Sequence, residues 1–246
     1  HIQALKERAA IYEDKKEWDE ALDEYDKIIK LYPQGVYSYY RKASVLLQSN
    51  KLNKSLKILD KLIDRETSYD DVSYYKNYIY VMRGGVYVEK QKEKKAVEEF
   101  NKAREIDSLL PFLVHAEGWM YIKFNKLGKA LERFNKVIDL SPSAFSYNNR
   151  AYVYNKLGDF EQAISDCNKS LTLDSANEYA YVNRGNIYMN MNKIEKAKSD
   201  YLKLIEFNPD NPEGYYYLGL LYLNESDYHK SLSNLGIAIL KYNEDD

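Results

Sequence analysis

The feature that most constrains this chain is an internal repeat of 34 residues. Residues 147–167 read YNNRAYVYNKLGDFEQAISDC, and residues 181–201 read YVNRGNIYMNMNKIEKAKSDY, with the second segment starting 34 residues after the first. Tyr, Asn, Arg, a small residue and a second Tyr recur in register. A fixed period of roughly 20 to 50 residues is typical of chains that stack one structural module many times. The repeat therefore limits the architecture before any single residue does.

Seven copies of this repeat follow one another. With Glu178 as position 1 of a repeat, the repeats begin near residues 2, 36, 77, 111, 144, 178 and 212, so the spacings are 34, 41, 34, 33, 34 and 34. We expect one array over residues 1–246, with an insertion of about seven residues between repeats 2 and 3. Seven residues make roughly two helical turns. The insertion, within residues 65–75, predicts an extended first helix in repeat 3, from about Asp70 to Glu89; a looped insertion is the alternative.

Positions 8 and 20 hold a small residue in every repeat. The residues are Ala9, Ala43, Gly84, Gly118, Ala151, Gly185 and Gly219 at position 8, and Ala21, Ser55, Ala96, Ala130, Ala163, Ala197 and Ser231 at position 20. Two helices approach closely only where both lack bulk, so these positions predict the crossing of an antiparallel helix pair. Position 11 is Tyr in six repeats and Leu46 in the other. It lies three residues beyond position 8, on the same helical face.

The residues that end or interrupt helices recur with the same 34-residue period. All five prolines fall between repeats or at the first position of one, where proline is tolerated, whereas inside a helix it costs about 3 kcal/mol. Position 15 holds Asn50, Asn125, Gly158 or Asn192 in four repeats. Asn and Gly accept the left-handed conformation that ends a helix, so we expect a turn there.

The chain resembles the tetratricopeptide repeat (TPR) family over essentially its whole length. The resemblance depends on a combination of features: small residues at positions 8 and 20, an aromatic residue at position 11 and a proline near position 32. The resemblance implies an all-α fold: a right-handed α-α superhelix (solenoid) of seven helix-turn-helix repeats. It also implies that the first helix of each repeat lines a concave groove. Proteins of this family bind peptides or partner proteins and are rarely enzymes.

Positions 7 and 23 carry opposite charges in five repeats. The pairs are Arg8 with Glu24, Arg83 with Glu99, Glu117 with Arg133, Arg150 with Asp166, and Arg184 with Asp200. In the fourth repeat both signs are reversed together. A functional anion site would keep its arginine in place, so the reversal indicates an ion pair between the two helices of a repeat. We interpret Arg150 and Arg184 as structural.

The resemblance places positions 2, 5, 6, 9, 12 and 13 of each first helix on the concave surface. Five consecutive repeats have an aromatic residue at position 2: Tyr37, Tyr78, Phe112, Phe145 and Tyr179. Packing against the neighbouring helix is one interpretation. The other is a row of rings that receives an extended peptide, since aromatic residues give large contact area with few rotatable bonds.

Polar candidates lie beside these rings. Asn149 and Asn183 occupy position 6, and Asn148 and Asn186 sit nearby and would extend the polar patch. A side-chain amide donates and accepts, as a peptide group does, and some TPR-like superhelices hold a peptide backbone with asparagine at this position. Solvated side chains are the alternative. His115 and Trp119, one turn apart in repeat 4, are interpreted as groove contacts and His115 not as a metal ligand.

Other classes of function are disfavoured. A net charge of −2 argues against a nucleic-acid binder, and no run of apolar residues is long enough to span a membrane. Cys167 is the single cysteine, and neither catalytic nor cofactor-binding motifs occur. We therefore expect no catalytic residue, no cofactor and no metal. The residue set that grips a C-terminal carboxylate in the chaperone-binding members of the family is also missing. We expect a cytoplasmic protein; because the chain starts with His1, its start looks trimmed and a removed signal segment stays open.

The last helix has apolar residues at helical spacing from about Tyr228 to Tyr242. Part of this helix would face water, which predicts a homodimer or a partner contact there; a longer native C-terminus would explain it equally well. The leading hypothesis for the chain is a protein–protein interaction scaffold that binds an extended peptide or partner segment in the groove. The alternative is a structural module that self-assembles through its terminal helix without a peptide ligand. A regulator that binds a small signalling peptide or a sugar is a third hypothesis.

Overall fold

The computed structural model describes residues 2–64 and 70–244. Within these residues all regular structure is α-helical, in fourteen helices. The chain divides into two compact units, an N-terminal unit (His1–Phe124) and a C-terminal unit (Asn125–Asp246). One continuous array of seven repeats stays a prediction, and each unit is described by itself.

The N-terminal unit contains seven helices. They are α1 (Ile2–Asp14), α2 (Trp18–Leu31), α3 (Val36–Gln48), α4 (Leu52–Ile63), α5 (Asp70–Glu89), α6 (Glu93–Ile106) and α7 (Pro111–Lys123). Consecutive helices pack together, and the first helices of successive repeats also touch, α3 against α5 and α5 against α7. The side of the unit formed by α3, α5 and α7 carries its candidate site.

The C-terminal unit contains the other seven helices. They are α8 (Leu127–Leu140), α9 (Ala144–Leu157), α10 (Phe160–Leu173), α11 (Glu178–Asn190), α12 (Ile194–Phe207), α13 (Pro212–Asn224) and α14 (Tyr228–Glu244). Consecutive helices again pack together, and α9 touches α11. In both units the first helices begin where the sequence repeat restarts, except that α5 begins earlier.

The early start of α5 confirms the predicted helical extension in repeat 3. The helix runs from Asp70 to Glu89 over 20 residues, whereas the other first helices have 13 or 14. The rest of the predicted insertion, residues 65–69, lies outside the described residues. The inserted residues that are described therefore lengthen a helix.

The small residues at positions 8 and 20 are buried where the two helices of a repeat cross. A Cβ atom at Gly219 would lie 2.7 Å from the Leu235 side chain, so bulk cannot be added there. The two serines at position 20 have a further role. The Ser55 hydroxyl donates to the Ala43 carbonyl oxygen (2.7 Å), and the Ser231 hydroxyl donates to that of Gly219 (2.9 Å). Serine thus replaces alanine at the crossing without leaving a buried hydroxyl unsatisfied.

The turn inside each repeat depends on one left-handed residue at position 15. All seven residues at this position have φ between 54° and 83°: Lys16, Asn50, Gln91, Asn125, Gly158, Asn192 and Ser226. The four Asn and Gly residues confirm the prediction. The left-handed conformation of Lys16, Gln91 and Ser226 could not be predicted from the residue type, because these residues rarely adopt it. The helices on either side of the turn impose it.

Four of the five predicted ion pairs between positions 7 and 23 are present. The atoms are 2.7 Å apart in Arg8–Glu24 and Arg150–Asp166, 2.6 Å in Arg184–Asp200 and 3.3 Å in Arg83–Glu99. Glu117 and Arg133 belong to different units, and their pairing stays a prediction. Within its own unit Glu117 accepts a hydrogen bond from Arg104.

The cation at position 7 also contacts the preceding repeat. Arg150 Nη1 donates to Asn135 Oδ1 (2.9 Å), Arg184 Nη1 donates to Asn168 Oδ1 (2.6 Å), and Arg83 pairs with Asp60 (3.3 Å). Lys42 pairs with Asp26 in the same way. All four acceptors occupy position 25 of the repeat before. Arg83, Arg150 and Arg184 therefore each connect three helices, a role that comparison of positions 7 and 23 alone did not predict.

Candidate functional site

Aromatic side chains line the first helices of the N-terminal unit. We call Tyr37, Tyr40, Tyr78, Phe112 and Trp119 the aromatic row; they project from α3, α5 and α7. The ring centroids of Tyr40 and Tyr78 lie 6.4 Å apart, and those of Tyr78 and Phe112 lie 5.9 Å apart. Such contacts stabilise by about 0.5–1.5 kcal/mol beyond area burial. The predicted position-2 aromatics Tyr78 and Phe112 are thus neighbours, and Tyr40, which the sequence did not single out, connects α3 to them.

The row passes from buried to exposed along its length. Tyr40 packs on the hydrophobic core together with Tyr75, and burial raises the pKa of Tyr40 to about 12. Phe112 and Trp119 keep 44% and 39% of their surface exposed. They lie seven residues apart in α7, and therefore on the same helical face. The aromatic residue at the Tyr40 end of the row is therefore explained by core packing, whereas the α7 end of the row is exposed to solvent.

His115 and Trp119 are held together on this face. The Trp119 indole N–H donates to His115 Nε2 across 3.1 Å, and the two rings meet edge to face at 6.4 Å. Burial lowers the pKa of His115, which favours the neutral ring that this hydrogen bond requires. The part of the chain that the structure describes contains no group of three or more His, Cys, Asp or Glu residues that could hold a metal ion.

Cations flank the row at its Tyr37 end. Lys6 Nζ lies 4.7 Å from the Tyr37 ring centroid, and the Arg41 guanidinium carbon lies 6.0 Å from it. Arg41 is fixed by Glu13 (2.7 Å), which also accepts a hydrogen bond from the Tyr25 hydroxyl. Tyr37 therefore serves as a cation platform.

Asparagine side chains link α9 and α11 in the C-terminal unit. Asn183 Nδ2 donates to Asn148 Oδ1 (2.8 Å), and Asn190 Nδ2 donates to Asn155 Oδ1 (3.0 Å). We call these four residues the amide rungs. In both rungs the partners are 35 residues apart, a regularity that could have identified Asn155 and Asn190 from the sequence. Asn183 thus pairs with position 5 of the previous repeat, not with another position-6 residue.

Two other predicted amides are less available. Asn149 is 2% exposed, so its side chain is closed to a peptide in this conformation. Asn186 accepts a hydrogen bond from the Tyr201 hydroxyl (2.7 Å), which fixes one buried tyrosine of the core. Asn148, which accepts the hydrogen bond from Asn183, is itself only 5% exposed, so Asn183 is the less buried amide of that rung. The predicted aromatics of this unit, Phe145 and Tyr179, are both exposed.

The one cysteine does not form a reactive site. Cys167 is fully buried, and burial raises the pKa of its thiol to about 12. The thiol is therefore protonated near neutral pH, and the thiolate is the nucleophilic form. No helix among the described residues is long and apolar enough to cross a membrane.

Comparison with family models identifies the repeat. Models described as tetratricopeptide repeat match residues 4–35, 78–108 and 144–177, and one described as TPR repeat matches residues 185–225. No curated protein sequence matches the chain.

Solved structures agree on the fold. A tetratricopeptide repeat protein from Parabacteroides merdae ATCC 43184 has a TM-score of 0.67 at 16% identity, over 98% of this chain and 93% of its own. A chain of the APC/C hetero-tetramer Cut9-Hcn1 has a TM-score of 0.71 at 16% identity; 96% of this chain aligns with 46% of that one. YrrB, a TPR protein with an unusual peptide-binding site, has a TM-score of 0.50 at 19% identity, over 72% of this chain and 92% of its own.

At these identities the similarity establishes the fold and not a ligand. The helix pairs, the small residues at each crossing and the four matched segments nevertheless agree with one another. The chain is a member of the tetratricopeptide repeat family, with an all-α solenoid fold of about seven repeats.

Proposed function

We propose that the N-terminal unit binds an extended segment of another protein along the aromatic row. A TPR fold supports a protein–protein interaction scaffold in general, and the aromatic row gives that role a surface. The observation that carries the proposal is the exposure of Phe112 and Trp119 on one face of α7, beside Tyr78.

The chemistry of the row suits a protein ligand. Exposed aromatic side chains contribute large buried area at low entropic cost and are enriched among interface residues whose removal costs about 2 kcal/mol or more. Lys6 adds positive charge at the Tyr37 end, whereas the charge of Arg41 is balanced by Glu13. YrrB is described as a TPR protein with a peptide-binding site, which supports peptide binding by analogy.

The test selects extended peptides from a random library on the purified chain and measures their dissociation constants by calorimetry. The double variant Phe112→Ala/Trp119→Ala should weaken binding at least about tenfold, as expected for the loss of interface aromatics. Leu31→Ala is the matched control, because Leu31 is an exposed apolar residue on α2, outside the row. Equal binding by the wild type and the double variant would refute the proposal.

We propose a second, polar contact surface on the C-terminal unit, formed by the amide rungs with Phe145 and Tyr179. Each rung uses one donor and one acceptor of its two side-chain amides. Asn148 is buried, so the amide groups that can still match a peptide backbone are those of Asn155, Asn183 and Asn190. Asn183→Ala should weaken binding of any peptide held there. If it does not, the rungs only join α9 to α11.

Self-assembly through the terminal helix is the second candidate function. It uses a surface on α14, separate from the aromatic row, and is favoured by exposed apolar residues on that helix.

A further inference from the structure

Five lysines of the N-terminal unit gather where the turns of repeats 2 and 3 lie. We call them the lysine edge: Lys54 in the first turn of α4, and Lys90, Lys92, Lys94 and Lys95 between the end of α5 and the first turn of α6. Lys90 Nζ donates to Asn53 Oδ1 across 2.5 Å, which brings the turn of repeat 3 against the start of α4. Lys54 directly follows Asn53, so lysines of two repeats are neighbours. Lys90 is half-buried and the other four are exposed.

Acidic residues do not balance this edge. Residues 27–59 contain seven Lys and Arg residues and no Asp or Glu. Repeat 1 supplies the acids for four of them, in the pairs Lys27–Glu24, Arg41–Glu13, Lys42–Asp26 and Lys51–Asp19. Among the described residues, no salt bridge of 4.0 Å or less includes a member of the lysine edge. The edge therefore carries positive charge that the chain itself leaves unneutralised.

Helix stability does not explain these lysines. A cation in the first turn of a helix opposes the helix dipole, whereas an acidic residue there is favourable. Helix α2 follows this preference, with Asp19 and Glu20 in its first turn. The first turn of α4 has no acidic residue and contains Lys54, and that of α6 contains Lys94 and Lys95 after a single glutamate. Cations that helix formation disfavours suit an anionic partner from outside the chain.

The chemistry of the edge favours the carboxylates of a protein over a nucleic acid or a membrane. Its cations are all lysines, whereas bidentate recognition of phosphate uses arginine. Lys95 Nζ lies 5.6 Å from the Tyr87 ring centroid, so the ring beside the edge is covered and does not offer a stacking surface for a base. Leu52 packs on the core, and a membrane-binding surface needs apolar side chains that enter the bilayer.

The overall charge supports the same choice. A net charge of −2 opposes the approach of a long polyanion. A short acidic segment responds mainly to charges within the Debye length, about 8 Å at physiological salt. The local excess of lysine can therefore attract such a segment although the chain as a whole is slightly acidic.

We infer that the lysine edge binds an acidic segment of a partner protein, with Asp and Glu carboxylates paired to Lys54, Lys92 and Lys95. The surface is formed by turns and second helices, whereas the aromatic row projects from first helices. The inference thus adds a second contact surface to the N-terminal unit and does not depend on peptide binding by the aromatic row.

The test measures fluorescence anisotropy of a labelled peptide of about twelve residues, alternating glutamate and serine, with the full chain. Lys92→Gln/Lys95→Gln should raise the dissociation constant at least about fivefold, because one exposed ion pair can change affinity by up to about fivefold. Lys54→Glu should raise it at least about threefold, although this lysine belongs to the other repeat. Raising NaCl from about 50 to about 300 mM should weaken binding by the wild type.

A matched control exists in repeat 6. Lys193 and Lys196 occupy the same repeat positions as Lys92 and Lys95, and Lys196 Nζ also lies 5.6 Å from a ring centroid, that of Tyr188. Lys193→Gln/Lys196→Gln removes the same charge and should leave the dissociation constant unchanged. Thermal melts followed by circular dichroism should be the same for both double variants, which shows that a loss of binding is not a loss of fold.

Three results would overturn the inference. They are equal affinity losses in the two double variants, no binding by the wild type at about 50 mM NaCl, and tighter binding of an oligothymidine of similar length or of phosphatidylserine vesicles than of the acidic peptide. The variant Phe112→Ala/Trp119→Ala should bind the acidic peptide as the wild type does. Failure of the aromatic-row proposal is therefore distinguishable from failure of this one.

Discussion

Replacing Arg184 with alanine should destabilise the C-terminal unit by about 3 kcal/mol, well above the 0–1 kcal/mol typical of an exposed ion pair. Arg184 holds Asp200 through two hydrogen bonds of 2.9 and 2.6 Å and also reaches Asn168 at 2.6 Å. The Asp200 side chain is only 6% exposed. Removing the arginine leaves a buried carboxylate unpaired, and that desolvation penalty dominates the loss.

Arg8 provides the matched comparison at the same repeat position. It pairs with Glu24, which is also buried, but Glu24 has a second cation in Lys27 at 2.7 Å. Burial alone would raise the pKa of Glu24, and the hydrogen bonds from Lys27 and Arg8 lower it instead. Arg8→Ala should therefore cause less than half of the loss produced by Arg184→Ala, because Lys27 remains.

Urea unfolding followed by far-ultraviolet circular dichroism measures both variants. With a slope of about 2 kcal/mol/M, the midpoint of Arg184→Ala should fall by about 1.5 M. The double variant Arg184→Met/Asp200→Leu should recover most of this loss, because it removes the buried charge along with its partner. Equal losses for Arg184→Ala and Arg8→Ala, or a double variant no better than the single one, would refute the reasoning.

Three further predictions follow from single positions. Gln91→Gly should raise the free energy of unfolding by about 1 kcal/mol in thermal melts, because Gln91 has a φ of 56° that glycine adopts without strain; no gain would mean that the turn is not strained. Cys167 should not react with a thiol reagent at pH 8 in the folded protein and should react on unfolding, since burial raises its pKa to about 12; fast reaction of the native protein would contradict this. Burial lowers the pKa of His115 below its ordinary value of 6.5. The contribution of the neutral ring to the free energy of unfolding should therefore be fully present above pH 6.5, and it should be lost as the pH falls through the lowered pKa. In a Trp18→Phe background, Trp119 fluorescence should titrate below pH 6.5, and His115→Gln should abolish the change.

The period of the sequence was enough to predict the helix pairs. Small residues at positions 8 and 20 define a crossing in steric terms alone, and prolines and position-15 residues mark the ends of helices. The extension of α5 to Asp70 also followed from the spacing, because inserted residues with helical pattern add turns. These features depend on interactions within one repeat, which a repeated sequence displays several times.

Contacts between repeats were harder to predict. The second partner of Arg184, Asn168, lies in the preceding repeat. The pairing of Asn148 with Asn183 likewise links position 5 of one repeat to position 6 of the next. The burial of Asn149 depends on the same packing. Asn148 and Asn149 are both buried, and Asn183 donates to Asn148. A pattern read within single repeats does not show which of two adjacent amides makes that contact.

The central claim is that a protein segment binds on the aromatic row, and a photo-crosslinker at the α7 face tests it most directly. Phe112 is replaced by a benzophenone-bearing amino acid in one sample and Leu31 in another, and each is irradiated with a library-selected peptide. The account predicts crosslinked peptide from position 112 and none from position 31, with competition by unlabelled peptide. Equal crosslinking at both positions, or none at position 112 under saturating peptide, would contradict it.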